Sequence, residues 1–269
     1  MIPPLGRTGG MKHSTSSCVH RSPPLTPKGR LHMRIAIHQP EHIGYLGYYN
    51  KMLNADAWVI LDNVQMAKRD FVRRNRIRTA NGSMWLSVPV RTKGRFHQRI
   101  CDVEIDSERN WQKSHWKSIE QNYRRAPYFE TYAPAIHAMY ERPWHKIADL
   151  NIAFMQCIMA LLGIERPLYT ASALGVEGKS SQLLADLTVA VGGTEYLSGP
   201  MGRNYLDETI FAERGLTVSY NDFCHPVYTQ HHGEFIPYMA VIDLLFNHGP
   251  DSLDVIRAGT ADITLQTNQ

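Results

Sequence analysis

The feature that most restricts the fold of this 269-residue chain is a strand–helix–strand period just past its amino-terminal segment. Arg34-Ile35-Ala36-Ile37-His38 is a short apolar run that stops at Gln39-Pro40, as a buried strand does. Leu46, Tyr49 and Leu53 then recur at helical spacing, and Ala57 to Leu61 forms a second apolar run closed by Asp62. Strand, helix and strand within about thirty residues make a βαβ unit and imply a parallel pair.

The remainder repeats the alternation. Met84 to Val90 is β-rich, with Pro89 marking an edge or strand end. A helical block follows at Glu108–Arg124, Tyr128–Glu141 and His145–Leu162, punctuated by Pro127, Pro134 and Pro143. Leu168–Ala171, Glu195–Leu197 and Thr217–Tyr220 read as strands. Helices are predicted at Lys179–Val191, Tyr205–Arg214 and Ile236–Asn247, the first ended by Gly192-Gly193 and the last stopped at Gly249-Pro250. The order predicts an α/β fold: a mostly parallel, doubly wound sheet with a helical insertion near 106–165.

The net charge of +4 is misleading. Residues 1–32 carry Arg7, Lys12, Arg21, Lys28 and Arg30 and no acid, so the body is close to neutral and gives no general ground for nucleic-acid binding. That segment is rich in Gly, Pro, Ser and Thr and reads as a disordered basic tail, with 33–259 as the folded domain and 260–269 as a C-terminal tail. No apolar stretch is long enough for a membrane span or a secretory signal. Cys18, Cys101, Cys157 and Cys224 are far apart, which argues against a zinc ribbon or a disulfide framework and makes a reducing cytoplasm the simplest compartment.

Several segments carry chemistry. The turn after the first strand offers Gln39, His42, Gly44 and Tyr48 where an α/β sheet presents its ligands. Gly44 lets backbone approach a ligand, the helix start favours an anion, and His42 suits acid–base work. The turn is similar to the His-x-Gly-His element of nucleotidyltransferases, with Tyr45 in place of the second His. From Lys68 to Arg78, six cations (Lys68, Arg69, Arg73, Arg74, Arg76, Arg78) accompany one acid, Asp70. With Phe71 as its lone aromatic, the segment suits a compact phosphate or carboxylate site better than extended nucleic acid. Gly178-Lys179-Ser180-Ser181 opens a helix without Walker A spacing, and reads equally as an ordinary Ser cap or as an oxyanion grip. Ser198, in Tyr196-Leu197-Ser198-Gly199-Pro200, has no evident His–Asp partners for a triad. His225, His231 and His232 lack metal-ligand spacing, so no metal site is expected. Asp243 and Asn247 share one face of an apolar helix.

Together these strings resemble the WbqC-like protein family. The matching residues are Gln39-Pro40 with Gly44, Gly47 and Tyr48; Ala55-Asp56 with Leu61-Asp62-Asn63-Val64-Gln65; Lys68-Arg69 with Asn75-Arg76-Ile77; Lys179-Ser180-Ser181; Tyr196-Leu197-Ser198-Gly199-Pro200; His225-Pro226-Val227-Tyr228-Thr229-Gln230; and Asp243-Leu244-Leu245-Phe246-Asn247 with Gly249. The resemblance runs from Met33 to about Gly259, in family order. It implies a bacterial protein of O-antigen or other surface-polysaccharide biosynthesis, with transfer of glycine or a related acyl group onto a sugar as the suggested activity. The chain departs from the family's usual pattern at Glu41-His42, before Ile43, and at Ala240.

The expected activity is therefore an aminoacyl or acyl transfer to a sugar or related amine. His42, Asp62 or His225 would be the general base, and Lys179 and Ser180 would stabilise the oxyanion. Lys68, Arg69, Arg73, Asn75 and Arg76 would hold a phosphorylated or nucleotide-linked small substrate, with Gln39, Gly44, Tyr48, Ser198, Tyr228 and Gln230 completing the site. Gln39, His42, Asp62, Lys179, Ser198 and Tyr228 are expected to gather at the carboxyl edge of the sheet. Two alternatives stand beside this: nucleotidyl or adenylyl transfer at the first turn, using ATP or another NTP with Mg²⁺, and a non-catalytic protein that recruits a glycosyltransferase. No cofactor is named by the sequence, and neither nucleic acid nor a membrane span is expected.

Overall fold

The structure, a computed structural model, describes residues 32–67, 70–95, 97–261 and 263–265. Its main sheet contains β1 (Arg34–His38), β2 (Ala57–Ile60), β5 (Leu168–Thr170), β6 (Glu195–Ser198), β7 (Thr217–Tyr220) and β8 (Thr264–Leu265). They lie in the order β5-β2-β1-β6-β7-β8. All neighbours are parallel except β8, which runs antiparallel to β7. The chain winds outward from β1 through β2 to β5, then returns to the other flank of β1 as β6. This reversal opens a crevice beyond the carboxyl ends of β1 and β6, the usual ligand position in such sheets.

Period-two alternation sends side chains to both faces. Ile35 and Ile37 join Ala57, Val59 and Tyr196 in a cluster covered by α6 (Ser180–Ala190) and α7 (Glu208–Glu213). Ala36, Trp58, Ile60 and Leu197 face the larger core, which is built with α1 (Leu46–Leu53), the insertion helices α2 (Trp111–Tyr123), α3 (Phe129–Glu141) and α4 (Ile147–Leu162), and later α8 (Ile242–His248) and α9 (Ser252–Ala258). The doubly wound α/β architecture and its helical insertion follow the sequence expectation. The short helix α5 (Ala171–Leu174) follows β5 directly.

Several elements differ from the sequence reading. The basic segment around Arg73–Arg78, to which the sequence assigns no element, forms β3 (Arg74–Thr79), which pairs antiparallel with β4 (Gly82–Ser87) in a separate hairpin. Asn75, Ile77 and Arg78 of β3 are buried, so polar residues conceal the alternation. The last predicted helix starts late, because Ala240 N–H donates to Arg76 O at 2.7 Å and Val241 N–H to Gly44 O at 3.0 Å, which holds the chain before Ile242 in non-helical form. Finally, α9 has no counterpart among the expected helices, and β8 lies within the segment read as a tail.

At the amino end of the strands Glu195 is buried and accepts from Arg34 Nε at 2.6 Å, from Ser219 Oγ and from His32. Thus His32, placed in the tail by sequence, contacts the sheet.

Candidate functional site

The crevice between β1 and β6 contains a cavity of about 360 Å³. Ile37 and His38 from the end of β1, Tyr48 and Lys51 from α1, and Tyr196 of β6 form its inner part, with Asn221 after β7. Tyr45, Met201, Tyr205, Phe223 and Tyr238 complete the walls. Met201 and Tyr205 are 67% and 63% exposed, so large apolar surface is left in water at the mouth. Tyr238 adopts a left-handed backbone, φ 62°, which a bulky residue takes only where its surroundings hold it. The enclosure follows from glycine on two sides: a Cβ on Gly47 would meet the Tyr45 ring at 2.6 Å, and one on Gly202 would meet Ser198 Oγ at 2.0 Å.

The electrostatic centre is Lys51, 5% exposed. Its Nζ donates to the carbonyl of Ile37 at 3.0 Å and lies about 6 Å from the ring centroids of Trp58 and Tyr196. Among the described residues no carboxylate pairs with it within ion-pair distance. Burial drives its pKa from 10.5 down to about 7, with Glu41 opposing. Glu41 is itself buried, and that burial raises its carboxyl to about 8, against the backbone hydrogen bond from Tyr45. His38 stands between cavity and carboxyl. Its Nδ1 donates to Gln39 O at 3.0 Å, which leaves Nε2 as the lone-pair nitrogen, 4.0 Å from Glu41 Oε1. Burial, helped by Lys51, holds its pKa near 4, so the ring is neutral at physiological pH. An amine that gives up its proton near neutral pH, a carboxyl that keeps one to about pH 8 and a neutral imidazole can accept, return and relay protons.

A second cavity, about 810 Å³, lies beside the hairpin and is lined by Arg73, Arg74, Lys93, Arg95 and Gln98 among others. On the hairpin the guanidinium groups of Arg74 and Arg76 lie 4.2 and 5.5 Å from the Trp85 ring. Among the described residues no group of three or more His, Cys, Asp or Glu is placed to hold a metal ion.

The model of the WbqC-like protein family matches residues 39–255. The chain belongs to the WbqC-like protein family. It is also similar to the uncharacterized protein Rv1507c of Mycobacterium tuberculosis (strain ATCC 25618 / H37Rv), at 36% identity over 226 residues, which is 83% of this chain and 97% of that protein. No solved structure matches the chain. The WbqC-like span begins one residue after His38 and takes in Glu41, Lys51 and the cavity walls through Tyr238.

The residues singled out in the WbqC-like sequence are dispersed. Tyr48 lines the switch-point cavity, and Gly44 packs against its ring. His42 is fully buried among the insertion helices, with Nδ1 3.2 Å from Asn151 Oδ1 and the ring edge-on to Phe154; burial, with His115, lowers its pKa to about 3. Asp62 accepts Ser172 N at 2.8 Å and Ser172 Oγ at 2.5 Å, tying β2 to the start of α5. His225 donates from Nδ1 to Pro226 O and accepts Tyr238 N at 3.1 Å, so it stands behind the cavity wall. Tyr228 and Gln230 both donate to the buried Asp243, at 2.8 and 2.9 Å, with Tyr123 as a third donor at 2.7 Å. Asn75 donates to Ile43 O, Arg73 lines the second cavity, and Ser198 is buried beneath Gly202. Gln39 is half-buried, its carbonyl engaged by His38; Lys179 and Ser180 are exposed at the start of α6. Lys68 and Arg69 fall outside the described residues.

Sequence reasoning missed Lys51 and Glu41. A signal existed for Lys51: its neighbours Leu46, Tyr48, Tyr49 and Met52 leave α1 with no wet face, and a cation on such a helix is driven inside.

Proposed function

We propose that this WbqC-like protein is a transferase that places an aminoacyl group, glycine or a related acyl, on an amine or hydroxyl of a sugar during surface-polysaccharide or specialised-metabolite assembly. The observation that carries the reading is Lys51: a buried amine without a carboxylate partner among the described residues, lining a cavity at the carboxyl edge of a parallel sheet. Near neutral pH it accepts the proton released when the acceptor's nitrogen or oxygen attacks the acyl carbonyl carbon. Glu41, with His38 before it, returns a proton to the departing group. The aromatic walls bind a ring and exclude water. Arg73, with Lys68, Arg69 and Arg76, is assigned to the anionic part of a phosphorylated or nucleotide-linked small substrate. The protein works on small molecules, in the cytoplasm, without nucleic acid.

His42, Asp62 and His225 receive no proton-transfer role in this proposal, since each is engaged in the frame. Nucleotidyl transfer at the first turn has less support for the same reason: the His42 ring is enclosed away from the cavity.

The test is a matrix of glycyl and other acyl donors against amino sugars and nucleotide-linked sugars, read by mass spectrometry. Acylated product is expected from the parent, and Lys51→Met should lower turnover by about 10²-fold or more. Equal turnover by parent and variant would remove Lys51 from the chemistry.

A further inference from the structure

Lys51 has a capacity beyond proton transfer. Among the described residues its one hydrogen bond is donated to Ile37 O, which fixes the nitrogen in the cavity lining. No carboxylate among them holds the group as an ammonium, and the cavity gives it a reachable face. A neutral amine so placed carries a free lone pair, which is what addition to a carbonyl carbon needs. The proton-handling partners are already adjacent: His38 Nε2 is unprotonated, and Glu41 lies behind it.

We propose that Lys51 is a nucleophile that captures an aldehyde or ketone group of a ligand in the switch-point cavity as an imine. The proposal rests on the reading that this cavity is the substrate site. Nζ adds to the carbonyl carbon, the carbonyl π electrons move to oxygen, and that oxygen takes a proton to give a carbinolamine. The hydroxyl then leaves as water with a proton supplied through Glu41 and His38. Nitrogen has lost both hydrogens and holds a C=N double bond; the net change is amine plus carbonyl to imine plus water, with no oxidant or reductant. The shift of Lys51 toward about 7 supports the same assignment, since it makes the neutral amine abundant at physiological pH. The Trp58 and Tyr196 rings lie about 6 Å from the nitrogen and restrict hydrolysis of the product.

The experiment is reductive trapping on the full chain. Propionaldehyde and cyanoborohydride are added at pH 7, and alkylation of each lysine peptide is followed by mass spectrometry. An ordinary lysine is neutral in only on the order of one molecule in a thousand at pH 7. Lys51 is expected to react at least about tenfold faster than the exposed Lys113 and Lys117, with the advantage vanishing near pH 10. Equal or slower reaction at Lys51 overturns the proposal. A parallel arm measures the thermal shift of the parent and of Tyr205→Ala with nucleotide-linked sugars. A shift lost in Tyr205→Ala together with an unreactive Lys51 would sink the imine and keep the transferase site. A reactive Lys51 with no shift from any sugar would keep the imine and remove the sugar reading.

Discussion

Asn75 of β3 donates its side-chain amide to the carbonyl of Ile43 at 2.9 Å, and Ile43 is held at φ 47°. A β-branched residue in the left-handed region is strained by about 1–3 kcal/mol and needs such support. The same Asn75 accepts Arg76 N–H at 2.8 Å through Oδ1. One buried amide therefore couples the basic hairpin to the turn that places Glu41 behind His38 and carries Tyr45 to the cavity.

Asn75→Ala is expected to destabilise the protein by about 1–3 kcal/mol, because a buried carbonyl and a partly buried N–H lose their partner together. Urea unfolding measures this. A change within about 0.5 kcal/mol would mean that the turn keeps its shape without Asn75.

Glu41 and Lys51 contribute opposite slopes to the dependence of stability on pH. Glu41 has a folded pKa of about 8 against an ordinary 4.5, so the folded state keeps a proton that the unfolded chain releases, and stability falls as pH rises from 4.5. Lys51 has a folded pKa of about 7 against 10.5, so the unfolded chain holds the extra proton, and this contribution raises stability up to 10.5. The two slopes cancel between 7 and 8, and each limb spans on the order of 3 kcal/mol. His38, His42 and His115, with folded pKa values of about 4, 3 and 4 against 6.5, add a rise below pH 6.5 that opposes Glu41, so chemical unfolding reads the pair from difference curves. The stability of the parent minus that of Glu41→Gln should fall from pH 4.5 to 8, and parent minus Lys51→Met should rise from 7 to 10.5; flat difference curves would contradict the pair.

Tyr205→Ala and Met201→Ala should leave the melting temperature within a few degrees, since both side chains are exposed at the mouth. Ligand affinity at the cavity should fall by about tenfold or more, as aromatic and thioether anchors are removed. Isothermal titration with any saturating ligand decides it, and unchanged affinity would move the binding surface elsewhere.

Gly202→Ala should cost about 1–3 kcal/mol, because the new Cβ would lie 2.0 Å from Ser198 Oγ. Ser198→Ala in the same chain should recover part of this loss by removing the clashing oxygen. Leu206 Cδ1, 2.9 Å from the new Cβ, limits the recovery. No recovery would show that the strain comes from another contact.

The strands β1 and β2 were legible because each holds an apolar run between turn residues, as sheets buried on both faces require, and β6 and β7 because short aromatic or β-branched segments lie between turns. The helix α4 was legible from its apolar length, and in the structure Gly163 closes it at φ 67°. The hairpin was not, because the buried positions of β3 include Asn75 and Arg78, whose partners lie far away in sequence: Arg78 reaches Glu234 O at 2.9 Å. For the same reason the sequence favoured visible charge clusters as site residues. Asp62, Tyr228 and Gln230 hydrogen-bond other parts of the frame, whereas Lys51 sits inconspicuously among apolar neighbours and owes its lowered pKa to enclosure.

The alternation within β1 has a consequence for inheritance. Ala36 faces the same core as Trp58, while Ile35 and Ile37 face the other, and the His38 ring stacks on Trp58 at 6.0 Å. Exchange of Ile35 or Ile37 for another apolar residue can be absorbed by repacking. Loss of a single residue between Arg34 and Ile37 cannot, since it inverts the face of every strand residue before the break relative to those after it. Lineages must transmit a count here rather than a set of letters: a strand of fixed length and fixed offset to α1, with the imidazole kept in phase with the tryptophan beneath it.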